Sequence, residues 1–270
     1  MKYRSFITSL LEDAGKIAQE GYGKAIASIK GGDQNQVVTE TDIAISTLLV
    51  SRIRESYPTD NIIDEETRGV DNGSEMTWVI DPIDGTSDFA KALPMYGVMV
   101  GLLRGAEPIA GGVLLPAFDE LYYAEQGEGA FCNDTPIRVS DDPVLRHALI
   151  AYALDAYPDK PHDTEKEAAL FVDISMRARN MRSSNSCFDQ MAVATGKYGA
   201  WLNRTTKIWD NVAPEIIIKE AGGQFTDFIG RTMDYSNPMT KVSTLYTVCA
   251  APKALHTALQ TIIHSHTFMD

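Results

Sequence analysis

Asp81 and Asp84 stand three residues apart in Trp78-Val79-Ile80-Asp81-Pro82-Ile83-Asp84-Gly85-Thr86-Ser87-Asp88, across a chain reversal that begins at the end of an apolar run. That spacing lets two carboxylates converge on one point, with the Ile83 carbonyl between them, and oxygen clusters of this kind suit hard cations. Gly85 and Thr86 then offer backbone N–H groups which, if a helical turn starts there, are unpaired and attract an anion. A cation site and a phosphate site would touch. Taken alone, the residues fit a plain Asp-Gly turn or an Asx cap equally well. Charge tips the balance: Asp64, Glu65, Glu66, Asp71, Glu75, Asp81, Asp84 and Asp88 face one base in the same span, Arg68. If several of these acids share a cleft, only divalent cations make that cleft receptive to a phosphate.

The surrounding pattern says what must hold these residues. Thr77–Ile80 reads as a buried strand that Pro82 and Gly85 bring to a stop. Upstream, Ser5 to about Tyr22 carries apolar residues at helical spacing. Val37-Val38-Thr39-Glu40-Thr41-Asp42 leads into a second helix that ends at Tyr57-Pro58. Thr39 or Thr41 can cap that helix, and Asp42 in its first turn is either a dipole partner or a metal contact. Asn61–Ile63 is a short strand delivering Asp64-Glu65-Glu66, which reads as a ligand set because three adjacent acids at a strand end are costly unless solvated or cation-bound.

Tyr96–Leu103, Ile109–Leu115, Glu120–Ala124 and Ala130–Asn133 form an antiparallel sheet, Leu149–Leu154 a strand and Asp163–Arg177 a helix. A proline-containing link at Tyr157–His162 marks a boundary between halves 1–155 and 156–270. Then follow a helix at Ser186–Thr195, a strand at Ala200–Asn203, and a helix opened by Trp209-Asp210 and closed by Gly222-Gly223, with Asp210 at its cap or first turn. Thr244–Ala250 is a buried strand and Pro252–Ile263 a final helix, beyond which His264 and His266 fray.

Composition bounds the function. With 270 residues, 44% of them hydrophobic, the chain has ample core for one large domain or two sharing a cleft. A net charge of -13 argues against a nucleic-acid partner, whose affinity comes from lysine and arginine. Cys132, Cys187 and Cys249 give neither a disulfide framework nor zinc spacing and read as buried apolar groups in a reducing cytoplasm. No apolar run approaches a membrane span, and the N-terminus lacks a signal-peptide pattern, so no membrane partner is expected.

Four segments in order (Val38-Thr39 through Asp42, Asp64-Glu65-Glu66, Trp78 through Thr86, and Trp209-Asp210 with the helix ending Glu220-Ala221-Gly222-Gly223) resemble the inositol monophosphatase superfamily of magnesium-dependent, lithium-sensitive phosphatases. The resemblance spans nearly the whole chain. It implies a layered αβαβα sandwich, a homodimer, and two or three Mg²⁺ per subunit. It implies that Glu65, Asp81 and the Ile83 carbonyl hold one ion, that Asp81, Asp84 and Asp210 hold a second, and that Glu65 reaches a third through water. Thr86 with Glu65 would activate the attacking water, and Asp42 joins them as a catalytic candidate; Gly85 and Thr86 would hold the phosphate of a small phosphorylated metabolite. Lys30 falls near the family's mobile-loop lysine.

Departures fall where the substrate binds. Asn203 replaces the glutamate that inositol-binding members carry seven residues before the Trp-Asp aspartate, and Ser184-Asn185-Ser186 replaces their Gly-Thr/Ser-Ala. Arg182, Arg204 and Lys207 nearby are either surface charges or a rim that admits a second negative group. A phosphorylated polyol or sugar is the leading substrate class. A sugar bisphosphate or adenosine 3',5'-bisphosphate is the enzymatic rival, and a non-catalytic regulatory protein on the same fold the rival from another class.

Overall fold

The computed structural model describes residues 1–24, 27–29, 37–67, 69–154 and 160–266; Lys30, Arg68 and the first part of the Tyr157–His162 link lie outside the described residues. In chain order come α1 (Arg4–Gly21), β1 (Ala27–Ile29), β2 (Val37–Thr39), α2 (Glu40–Ser56), β3 (Asn61–Asp64) and β4 (Met76–Asp84). A short α3 (Thr86–Ala90) precedes β5 (Gly97–Arg104), β6 (Glu107–Leu115), β7 (Glu120–Glu125), β8 (Ala130–Cys132) and β9 (Thr135–Pro136). Next come β10 (Leu149–Ala153), α4 (Pro161–Ser175), β11 (Asn180–Arg182), α5 (Cys187–Ala194) and β12 (Ala200–Thr206). After them follow α6 (Ile208–Glu220), β13 (Gly223–Thr226), β14 (Tyr246–Pro252) and α7 (Lys253–Ser265).

A seven-stranded sheet runs β3 to β9 in chain order, antiparallel except for the parallel pair β3–β4; a five-stranded mixed sheet has the order β11-β10-β12-β14-β13. Because side chains alternate along a strand, each sheet feeds two cores. Trp78 and Ile80 of β4 pack with Ile7, Leu10 and Leu11 of α1 and with Ile45 and Leu49 of α2. Val79 points the other way, into the core shared with Val212, Ala213 and Ile216 of α6 and with Trp201, Val248 and Ala250 of the second sheet. On that sheet's far face, Leu202 and Cys249 meet Leu170 and Ile174 of α4 and Leu255 and Leu259 of α7. The result is the αβαβα sandwich. The middle layer lies very close to the first sheet: a Cβ on Gly111 would sit 2.8 Å from the Ala213 Cα, so only glycine admits α6 there.

The strand at Trp78 does not stop at Pro82, as the sequence suggests. β4 continues to Asp84 through an irregularity, with Asp81 opposite Met99 but Asp84 opposite Gly97, so that Pro82 and Ile83 together face the single residue Val98. Proline is tolerated because a bulge needs no ladder donor at that place. The extra residue also resets the alternation: Ile83 joins the α1–α2 core, and Asp84 returns to the face that Asp81 already occupies. Gly85 then turns the chain at φ +78°, where an added Cβ would meet the Met95 carbonyl oxygen at 2.6 Å. Gly85→Ala should therefore cost about 1–3 kcal/mol of stability, read as a lower urea midpoint at unchanged slope. α7 extends to Ser265, and both histidines expected to fray have partners: His264 Nε2 lies 3.3 Å from the Ile229 carbonyl and His266 pairs with Asp173 at 3.0 Å.

Candidate metal and phosphate site

Three carboxylates from two halves of the chain meet beside α6. Oxygens of Asp81, Asp84 and Asp210 all lie within 4.8 Å of one another. Asp81 comes from β4 before the bulge, Asp84 from after it, and Asp210 from the first turn of α6. Each of the latter two is anchored from behind: the Cys187 amide at the start of α5 donates to Asp84 Oδ2, and the Lys207 amide donates to Asp210 Oδ2 at 2.6 Å. Asp81 is 1% exposed, and its Oδ1 is buried without a hydrogen-bond partner among the described residues.

Such crowding is costly without a counter-charge. Burial, then the charges of Glu65, Asp84, Asp210 and Asp42, holds Asp81 well above the usual carboxylate range. Burial also raises Asp210 strongly, with Asp84 adding to it. Asp84 is pushed up to about 7 by burial, although the Cys187 amide favours its charged form. Glu65 stands outside the trio, yet its charge acts on all three members. An all-oxygen donor set with an orphaned buried carboxylate oxygen fits a hard divalent cation and fits a soft one poorly.

The remaining candidates divide. Asp42 is fully buried, and its Oδ2 accepts the Thr39 amide at 2.9 Å, so the dipole and capping role is real. Its Oδ1 nevertheless lies 3.4 Å from Thr86 Oγ1, which donates to the Ile83 carbonyl at 2.9 Å. Asp42, Thr86 and Ile83 thus form one line leading to the bulge. Gly85 is the N-terminal cap of α3, which sets the Thr86 amide in a first helical turn.

Asp64 lies outside the trio, and its Oδ1, like that of Asp81, is buried without a hydrogen-bond partner among the described residues. Asp64 Oδ2 accepts the Ser46 hydroxyl at 2.6 Å and the Thr67 amide at 2.9 Å, and so fastens the end of β3 to α2. Asn203 is 1% exposed, with Nδ2 donating to Asn185 Oδ1 at 2.7 Å and Oδ1 accepting from Thr205. Ser184 donates to Asp189, and Ser186 is the N-cap residue of α5, its Cβ 3.4 Å from where a Cβ on Gly85 would sit. Two of the three basic residues near these segments point elsewhere: Arg204 pairs with buried Glu167 at 2.9 Å, and Lys207 Nζ donates to the Ser243 carbonyl.

Sequence reasoning missed three contributors. The Cys187 amide holds Asp84, a link between positions 103 apart in the chain. Asp189 is a buried acid, pushed up to about 6 by burial, and Ser186-x-x-Asp189 is a capping pattern that could have been read. Gln190 donates to the Asp210 carbonyl at 3.0 Å.

The fold and the converging acids define a layered α/β protein with a candidate metal site beside its middle helical layer. A family model described as the Inositol monophosphatase family matches residues 2–267. The chain belongs to the inositol monophosphatase family. It is 31% identical over 245 residues to a fructose-1,6-bisphosphatase/inositol-1-monophosphatase of Aquifex aeolicus, covering 90% of this chain and 88% of that one. It is 32% identical to a histidinol-phosphatase of Chlorobaculum parvum, covering 82% and 84% of the two chains. The solved structure of an IMPase from Thermotoga maritima superposes with a TM-score of 0.85 at 27% identity, over 98% of both chains.

Proposed function

We propose that this phosphatase is a Mg²⁺-dependent phosphomonoesterase that hydrolyses a small phosphorylated polyol or sugar. The observation that carries the reading is the meeting of the Asp81, Asp84 and Asp210 oxygens within 4.8 Å around a buried carboxylate oxygen. Two or three ions would be held by those aspartates with Glu65 and the Ile83 carbonyl. Bound there, Mg²⁺ lowers the pKa of water and offsets charge on phosphate and leaving group.

The chain's own groups supply orientation and proton handling. Thr86 Oγ1 could accept a proton from a water held in line with phosphorus while its own single proton turns from the Ile83 carbonyl, 2.9 Å away, to Asp42 Oδ1 at 3.4 Å, with Glu65 the other candidate base. Asp42 suits acceptance there because its other oxygen is already fixed by the Thr39 amide. The Gly85 and Thr86 amides would orient the ester oxygens. No side chain needs to become phosphorylated.

The polar groups near Asp84 favour a monoester over a bisphosphate. Arg204 and Lys207 are engaged elsewhere, while Ser184, with its proton given to Asp189, presents an acceptor, and Asn185, accepting from Asn203, presents donors. Such a rim matches hydroxyl groups and leaves Arg182 alone of the three bases to meet a second phosphate. In a panel of sugar and polyol monophosphates and bisphosphates assayed with and without Mg²⁺, monoesters should be hydrolysed at least about tenfold more efficiently, a difference near 1.4 kcal/mol. Preference for a bisphosphate would overturn the substrate reading, and absence of any Mg²⁺-dependent release would favour a regulatory protein.

A further inference from the structure

α6 contains a proline, Pro214, four residues after the metal-site aspartate Asp210. In an uninterrupted helix the amide of residue 214 would donate to the carbonyl of residue 210; proline has no such proton, and its ring pushes against that carbonyl. The Asp210 carbonyl, which is part-buried, therefore loses its helical partner, and a carbonyl so placed is costly to leave unbonded. Gln190, 2% exposed on the neighbouring α5, takes the place of the missing amide, its Nε2 donating to Asp210 O at 3.0 Å.

We infer that Gln190 is a positioning residue for the metal site, acting through the Asp210 backbone in place of the donor that Pro214 removes. Asp210 is then held at two points, its carbonyl by Gln190 and its Oδ2 by the Lys207 amide. The side chain is thereby aimed at Asp81 and Asp84. The same α5 also supplies the Cys187 amide to Asp84, so one short helix sets two of the three carboxylates. A shift of α5 would move both together. Outer partners that orient ligands typically change metal affinity by about 10–100-fold when lost.

The inference rests on the metal reading of Asp81, Asp84 and Asp210, and calorimetric Mg²⁺ binding tests the two separately. The proteins compared are wild type, Gln190→Met, Pro214→Ala and Gln190→Met/Pro214→Ala, each with its thermal midpoint measured without metal. Methionine keeps the volume and removes the donor, and the Pro214→Ala change restores a backbone amide that can reach the Asp210 carbonyl. Gln190→Met should weaken Mg²⁺ binding about tenfold, and the double variant should recover to within about threefold of wild type. If Gln190→Met alone does not fold, recovery of both folding and affinity in the double variant supports the inference, and failure to recover overturns it. Wild-type affinity in Gln190→Met, or a double variant as weak as the single, overturns the role of Gln190 while leaving the metal site standing. Absence of Mg²⁺ binding by wild type overturns the metal reading and the inference with it.

Discussion

Asp84→Asn is expected to lower Mg²⁺-dependent phosphate release by about 10³-fold or more while the fold persists. Asparagine has the same shape and keeps an oxygen for the Cys187 amide, so the link from β4 to α5 survives. What disappears is one negative charge from a trio whose oxygens lie within 4.8 Å of one another. Metal-derived stabilisation of the transition state is worth several kcal/mol, and each 1.36 kcal/mol is a factor of about ten. The same substitution relieves repulsion on Asp210, for which Asp84 is the largest charged contributor, so the metal-free protein should melt no lower than wild type. Lost turnover with an unchanged or raised thermal midpoint marks a functional carboxylate. Retained turnover would remove Asp84 from the chemistry, and a fall of many degrees would make it structural.

Much of this site was legible because its chemistry is written in short segments. Asp81, Ile83, Asp84, Gly85 and Thr86 are neighbours in sequence, and a turn with two acids limits what they can do. The strands and helices that deliver them follow apolar periodicity, which survives in β4 as Trp78 and Ile80 on one face and Val79 on the other. Pro82 was misleading for a physical reason. Proline forbids a ladder bond, and the chain can answer either by ending the strand or by adding a residue; the sequence does not say which. Only pairing with β5 decides it, and that decision brings Asp84 to the same face as Asp81.

Less legible were interactions between segments far apart in the chain. Nothing local to Asp64 reveals that Ser46, on the preceding helix, will meet one of its oxygens. Arg204 and Lys207 look like a basic rim because sequence proximity to Asn203 and Asp210 does not fix side-chain direction; Glu167 and the Ser243 carbonyl capture them instead. Gln190 is the intermediate case. Pro214 announces that the Asp210 carbonyl needs a new donor, but the sequence leaves the donor unnamed.

The metal-free protein should become less stable as pH rises from about 5 to 8, and Mg²⁺ should abolish that loss. An acid with a raised folded-state pKa holds its proton more tightly in the folded chain. It therefore contributes stability that is complete below its ordinary value and vanishes as pH climbs through the folded-state value. For Asp84 the window runs from 3.8 to about 7, and Asp81 and Asp210 are raised in the same sense by the same burial and mutual repulsion. The raised acids act together, with a net effect on the order of a few kcal/mol, which corresponds to a fall of roughly 5–10 °C in thermal midpoint for a chain of this size. Saturating Mg²⁺ binds only the charged carboxylates, so it competes with protons: at about 100 times its dissociation constant it adds about 2.7 kcal/mol, and that increment grows with pH. Thermal melts in EDTA and in Mg²⁺ across this range should diverge as pH rises. Parallel curves would mean that the three carboxylates are not titrating where the ion binds.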